Sequence, residues 1–385
     1  MDDVSSLTEL LISWAAINSG SHNTAGLERM RIALAAEFSR ISGTIVEDVS
    51  LIGTAARALR VRQRPNAPIQ ILLSGHYDTV YGLDHPFQTC ERVSDEILRG
   101  PGVADMKGGI VVMLAALREF ERSPHASQVG WEALLTPDEE TGSVASRPLL
   151  DAAAPQFQFG LIFEPARENG DLVESRKGTG IFTATCHGRA AHAGRAAADG
   201  RNAIVALAEF LLAANRLPGE LPDVLMNIGS ITGGGAVNIV PDFARAEINL
   251  RITRATDAPA ALERLQAYAA PINTREGFRL EITGQFNRLP MEANPVSDKL
   301  FQAWLRCGHD VGVAPFSRTH VGGGSDGNLL SAAGLPCLDG LGVIGGHLHS
   351  AEEYVHLPSL VERAQIAAHF LTQLGEGTIV VPSRP

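Results

Sequence analysis

Hydrophobic residues in the first part of this chain come in short unbroken runs, separated by stretches with helical spacing. IQILLSG (69–75), VGWEALLT (129–136) and FGLIFE, which ends at Glu164, have the length and continuity of strands covered on both faces. Between them, Lys107–Glu121 (KGGIVVMLAALREFE) predicts a helix opened by glycines, and Val144–Asp151 a shorter one. The N-terminal MDDVSSLTELLISWAAINSG repeats its apolar residues at helical spacing and predicts an amphipathic first helix. Strands alternating with helices in this way predict an α/β layer around a mostly parallel central sheet. Sites in such sheets lie beyond the carboxyl ends of the strands.

The rhythm changes near Arg176-Lys177-Gly178. GIFTATCHG predicts a strand with less regular alternation, Arg201–Ala214 a helix, VLMNIGSITGG and FARAEINLRIT paired strands, Pro259–Ala270 a helix and FRLEITG (278–284) a strand. Strand–helix–strand–strand–helix–strand is the order of a small two-layer α+β domain. From about Pro290 the α/β character resumes, with a helix at Val296–Cys307, a strand near Leu338–Val343 and a last helix at Leu360–Leu374, while the closing EGTIVVPSRP has no periodicity. The expected organisation is one α/β domain made of 1–176 and 289–385, interrupted by an inserted α+β domain at 177–288. Two domains also suit a length of 385 residues.

Composition narrows the partners. A net charge of −11 argues against a nucleic-acid backbone or an anionic membrane, and 5% aromatic content argues against base stacking. No apolar stretch reaches the roughly 20 residues of a membrane span. The N-terminus begins with acids and lacks the basic start of a signal peptide. Cys90, Cys186, Cys307 and Cys337 are far apart and form no CxxC pair, as expected of free thiols in a reducing compartment. The expected location is the cytoplasm.

Five scattered segments each present an acid or a histidine suited to a divalent cation: His76 and Asp78 in SGHYDTV, Asp105 in GPGVADMKGG, Glu139 and Glu140 in LTPDEETGS, Glu164 in IFEPA, and His349 in GGHLHSAEEYV. Each follows an apolar run, so strand ends converging on one buried polar site are expected. Carboxylates mixed with imidazoles, without cysteine, favour zinc or a similar ion. His76 and Asp78 are two apart, which lets the aspartate hold the imidazole's second nitrogen. The two oxygens of Asp105 could bridge two cations, or the residue could simply cap the helix near Lys107. Glu139 and Glu140 point in different directions, allowing one ligand and one general base; a solvated acidic turn is the plain alternative. Glu164 before Pro165 could equally face solvent, and spacing alone does not choose between His347 and His349.

Taken together, SGHYDTV, GPGVADMKGG, TPDEETGS, FEP, GRAAHAG followed by GRNA, GGGSDGN and LHSAEEYV, in that order over about 70–355, resemble a zinc-dependent metallopeptidase family. It includes glutamate carboxypeptidase, acetylornithine and succinyl-diaminopimelate deacylases, and aminoacylases, and the likeness is nearest to the glutamate carboxypeptidase branch. The resemblance implies two zinc ions, with cobalt or manganese as substitutes, bridged by Asp105. His76 and Glu164 would hold one ion, Glu140 and His349 the other, with Asp78 orienting His76 and Glu139 as general base. The inserted domain would be a lid through which the chain forms a homodimer, and His192 would stabilise the oxyanion across that dimer. Asn238, Arg251 and Arg288 match substrate-binding positions, Arg288 one associated with a substrate carboxylate.

The glycines of GGGSDGN, Gly323 and Gly324 among them, offer backbone amides to an anionic group in the manner of a nest, and no GK[ST] follows to make a phosphate loop. Ala197 stands where the family often has proline, and Arg195 and Arg201 make this segment basic. These departures bear on specificity and not on the metal chemistry. The implied activity is release of a C-terminal acidic residue from short peptides or N-acyl amino acids, with N-acyl-amino-acid deacylation as the alternative. A catalytically silent binding module is the remote alternative, disfavoured because Glu139 and every ligand position are present. A serine hydrolase is set aside, since Ser325 lacks the GxSxG spacing.

Overall fold

A computed structural model describes residues 2–380 and divides the chain into two compact units. The first takes the residues up to Ser175, Ala293–Val321, and those from Ser325 onward; the second takes Arg176–Glu292 and Gly322–Gly324. Of the closing segment EGTIVVPSRP, residues 381–385 lie outside the described residues.

The first unit opens with α1 (Val4–Ala15), α2 (Thr24–Phe38) and three strands, β1 (Ile45–Ser50), β2 (Arg57–Gln63) and β3 (Ile69–His76). A short hairpin, β4 (Glu91–Arg92) and β5 (Ile97–Arg99), precedes α3 (Lys107–Phe120), β6 (Val129–Thr136), α4 (Arg147–Ala153), β7 (Phe159–Ile162) and β8 (Leu172–Arg176). The second unit is β9 (Gly178–His187), α5 (Ala203–Ala214), α6 (Leu217–Glu220), β10 (Val224–Gly233), β11 (Phe243–Ile252), α7 (Asp257–Asn273) and β12 (Arg279–Arg288). The chain then returns through α8 (Pro295–Asp310), β13 (Arg318–Val321), α9 (Asp326–Ala332), β14 (Cys337–Asp339), β15 (Gly345–Gly346), β16 (Tyr354–His356) and α10 (Pro358–Glu376).

Eight strands form the main sheet in the order β1-β2-β6-β3-β7-β14-β8-β13. Its centre, β6-β3-β7-β14, is parallel, while β1, β2 and β8 are antiparallel additions. The parallel strands β6 and β7 are buried at every position, which is why their sequences run apolar without alternation. α3 is apolar nearly all round and correspondingly buried from Lys107 through Leu117, packed against α10. Its first turn sits against the end of β7: a Cβ on Gly109 would lie 1.9 Å from the Phe163 carbonyl oxygen. Only glycine permits that approach, and it brings the loop before α3 beside the residue after Phe163.

Most element boundaries differ from the sequence reading by a few residues, and two of the differences have a local cause. The helix expected from Val144 begins at Arg147, because the Asp138 carboxylate accepts the amides of Ala145 (2.8 Å) and Ser146 (3.2 Å) and holds them in a turn. The strand expected at Leu338–Val343 stops at Asp339, where Gly340 takes a left-handed φ of 79°.

In the second unit the antiparallel sheet β10-β11-β9-β12 packs with α5 and α7 around Phe182, Leu207, Phe210, Ile248, Leu250 and Leu265. Its two ends meet: Arg176 and Met291 exchange both backbone hydrogen bonds, each 3.0 Å. Among the described residues no helix is long and apolar enough to cross a membrane.

Candidate metal centre

Three of the five acid and histidine segments arrive on parallel strands at one edge of the main sheet. His76 is the last residue of β3, opposite Thr136 of β6, and Glu139–Glu140 and Glu164 follow β6 and β7. The other two do not come from strand ends, contrary to expectation. Asp105 lies in the loop before α3, and His349 lies in the loop after β15, with a left-handed φ of 61°. Asp105 does not cap α3 either: Met106 occupies the cap position, without a side-chain hydrogen bond.

All five meet around Asp105. Its Oδ1 lies 3.1 Å from His76 Nε2, and its Oδ2 lies 3.3 Å from His349 Nε2. Glu164 stands on the His76 side, 3.8 Å from Nε2, and Glu140 on the other, 3.1 Å from His349 Nε2. Two groups of three result, His76–Asp105–Glu164 and Asp105–Glu140–His349, each with ligand atoms within 4.8 Å of one another. They share one aspartate, one oxygen to each. Both histidines are exposed, but only His349 has a ring nitrogen within one of these groups, while the ring of His347 packs against Tyr354. Glu139 is buried beside these groups and belongs to neither.

Asp78 ties the two halves together. His76 Nδ1 lies 3.3 Å from its Oδ1 and 3.1 Å from its carbonyl oxygen, so Nδ1 carries the proton and Nε2 turns toward Asp105 and Glu164. The same carboxylate accepts the amides of Glu139 (3.1 Å) and Glu140 (3.2 Å) and the hydroxyl of Ser21 (2.7 Å). One buried group thus fixes both the imidazole on one side and the acidic turn on the other.

The protonation pattern fits a centre built for cations. Burial opposes charge on His76, but hydrogen bonds to Asp105 and Asp78 outweigh it and hold the imidazole well above its usual range. Hydrogen bonds to Asp105 and Glu140 push His349 up to about 11. Burial raises Asp105, yet the hydrogen bonds from His349 and His76 win and hold it below the ordinary aspartate value. Burial holds Glu140 above the ordinary glutamate value. The carboxylates around them favour the protonated form of both imidazoles. The donor set itself, oxygen and nitrogen with no sulfur, suits a divalent ion of the zinc type.

Sequence reasoning missed Glu353. It is fully buried, and its carboxylate accepts the amides of Gly102 (3.2 Å), Ala104 (2.9 Å) and Asp105 (3.0 Å). The Tyr81 hydroxyl donates to it as well, at 2.7 Å. Burial first, then the charge of Asp105, raises this acid to about 7.

The second unit carries the remaining candidates. His192 is exposed; its Nδ1 accepts the Gly194 amide at 3.1 Å, which leaves the neutral ring's proton on Nε2. Asn238 is exposed, its carbonyl accepting the Ala193 amide. Arg251 on β11 and Arg288 on β12 both stand opposite Thr179 of β9, on one face of the sheet. Arg288 is buried, and Arg251 donates to the Gly322 carbonyl at 2.5 Å. Gly322 and Gly323 have no left-handed φ, and the carbonyls of both accept from arginines, Arg251 and Arg176. Ser325 is no nucleophile: it is buried, caps α9 and donates to Asp339 at 2.9 Å. Arg201 is likewise committed, donating to the carbonyls of Glu276, Ala198 and Gly200.

A cluster that shares one aspartate between two carboxylate–imidazole groups, at the carboxyl edge of a parallel sheet, defines a metal-dependent hydrolase. Residues 72–373 match peptidase family M20/M25/M40, and the chain belongs to that family. It is 25% identical over 378 residues to carboxypeptidase G2 of Pseudomonas sp. (strain RS-16), covering 98% of this chain and 91% of the relative. It is 27% identical over 333 residues to a succinyl-diaminopimelate desuccinylase of Psychrobacter sp., covering 81% of each. The crystal structure of an aminopeptidase of Bacillus cereus shares the fold, with a TM-score of 0.81 and 20% identity over 97% of this chain and 99% of that one.

Proposed function

We propose that this hydrolase is a two-zinc amidohydrolase that releases a C-terminal acidic residue, of the glutamate type, from short peptides or N-acyl amino acids. The observation that carries the reading is Asp105, with one oxygen in each of two ligand groups and a buried Glu139 beside them. His76, Asp105 and Glu164 would hold one cation, and Asp105, Glu140 and His349 the other. Two such cations, zinc or in substitution cobalt or manganese, supply Lewis-acid polarisation of an amide carbonyl and make water more acidic.

The chain's own residues do the rest. Glu139 takes a proton from the attacking water and returns it to the leaving nitrogen; its absence from both ligand groups supports a base over a ligand. Asp78 holds the Nδ1 proton of His76 and the amides of the acidic turn, so neither ligand group reorganises during the reaction. His192 offers Nε2–H to the carbonyl oxygen as negative charge develops there, contributed by the partner subunit of a homodimer formed through the second unit. Arg288, with a planar fork that matches a carboxylate, pairs with the departing acidic residue, while Asn238 and Arg251 hold the rest of the substrate. The free cysteines suit work in the cytoplasm.

Deacylation of N-acyl amino acids is the second reading, favoured by the likeness to the desuccinylase. The deciding experiment is turnover of a panel of dipeptides and N-acyl amino acids by zinc-loaded enzyme, with bound metal counted. Two metals per chain and hydrolysis confined to C-terminal glutamate or aspartate is the expected result. Two metals with turnover of basic or neutral N-acyl amino acids would replace it with the deacylase reading.

A further inference from the structure

The two groups share Asp105 only because its two oxygens point in two directions, and the direction of a short side chain is set by its backbone. That backbone is held by Glu353. One carboxylate oxygen accepts the amides of Ala104 and Asp105, and the other accepts the Gly102 amide and the Tyr81 hydroxyl. Glu353 itself ends the loop that carries His349: its amide donates to the Ser350 carbonyl, and its carbonyl accepts the Gly100 amide at 3.1 Å. Tyr81, five residues along from His76, lies 2.8 Å from that same Ser350 carbonyl. The segments bearing His76, Asp105 and His349 therefore converge on one buried acid that belongs to neither ligand group.

We propose that Glu353, buttressed by Tyr81, is a positioning residue that sets the orientation of the shared aspartate and so the cation affinity of both halves together. The inference rests on the two-cation reading above. A glutamine at this position has one acceptor oxygen and an NH2, so it cannot serve the amides on one side and the amide and hydroxyl on the other. A merely structural acid would lower stability without selectively weakening cation binding.

The test is a competition titration of metal-free protein with Zn2+ against a chromophoric chelator, for wild type, Glu353→Gln and Tyr81→Phe. Outer-shell partners of metal ligands typically set affinity by about 10–100-fold, and Glu353→Gln is expected to lose that much at both positions at once. Tyr81→Phe should lose less, again at both. Activity lost at limiting zinc should return as free zinc is raised, which a folding defect would not allow. If Glu353→Gln does not fold, Tyr81→Phe decides. Wild-type affinity in the variants, or loss at one position only, overturns the proposal. A wild-type protein that takes up fewer than two cations overturns the two-cation reading, and this one with it.

Discussion

In the first unit, His76, Asp78, Asp105 and Glu139 are buried and are fixed by groups from distant parts of the chain, with Asp78 alone engaging residues 21, 76, 139 and 140. In the second, His192 and Asn238 are exposed, His192 is tied to Gly194 in its own turn, and Arg251 is bonded to a loop carbonyl. In the first unit the buried groups are braced from several directions and only His349 of the ligand set is exposed, whereas in the second unit His192 and Asn238 face solvent and Arg288 is buried. The difference follows the task. On the function proposed above, cations and a base would need geometry fixed to within fractions of an ångström, whereas groups that recognise substrate would work from more adaptable surfaces.

The sharpest way to break this contrast is Glu139→Ala. Loss of a general base costs about 10²–10⁴ in rate, so kcat should fall by that range while two cations remain bound. Loss of metal along with activity would make Glu139 a ligand and undo the division between the groups.

His192→Ala tests whether an exposed residue of the second unit takes part in the chemistry. Removal of one oxyanion donor costs about 10²–10³ in kcat. Mixing it with Glu139→Ala under subunit exchange should restore part of the activity. Proven exchange without restoration would return His192 to its own subunit or to no role.

Arg288→Ala should lower kcat/KM by about 10–100-fold for substrates ending in glutamate, the worth of one hydrogen-bonded charge, and leave neutral-ended substrates unaffected. Equal losses on both would make Arg288 a structural residue of β12.

The smallest effect is a proton count. The partners of His349 hold its pKa at about 11, against an ordinary 6.5. The free ring is therefore charged between those limits, and a cation can bind only after the proton leaves. Zinc uptake at pH 8 should release about one proton from His349 and another from His76, and affinity should rise with pH across that window. Calorimetry in two buffers of different ionisation enthalpy reads the number; no release would mean that the imidazoles are neutral before the cation binds.

The contrast also explains what could be read from the chain. The apolar runs of β3, β6 and β7 announced buried strands, and the acids after them could only be explained together, as one site. Asp105 and His349 were legible by residue type but not by position, because each comes from a loop whose course depends on distant packing such as Gly109 against Phe163. Glu353 was invisible beside Glu352. The two are neighbours of one type, yet Glu352 reaches outward to Arg99 at 2.8 Å while Glu353 turns inward. The hairpin β1–β2 was missed because IVEDVS is largely exposed and carries little apolar signal. In the second unit the element order was legible although GIFTATCHG of β9 alternates less regularly, but no periodicity reveals that Arg201 is spent on carbonyls or that the Gly322 loop lacks a left-handed turn.

The paired backbones of Arg176 and Met291 have a consequence for how the chain was assembled. More than a hundred residues leave the first unit's sequence and return to the same spot, so once they have folded on their own core their joined ends close the chain as a short turn would. Such an excursion can grow, shrink or be exchanged without moving the strands that carry the acids. Sequence can therefore diversify within one excursion while the strands that carry the acids stay as they are.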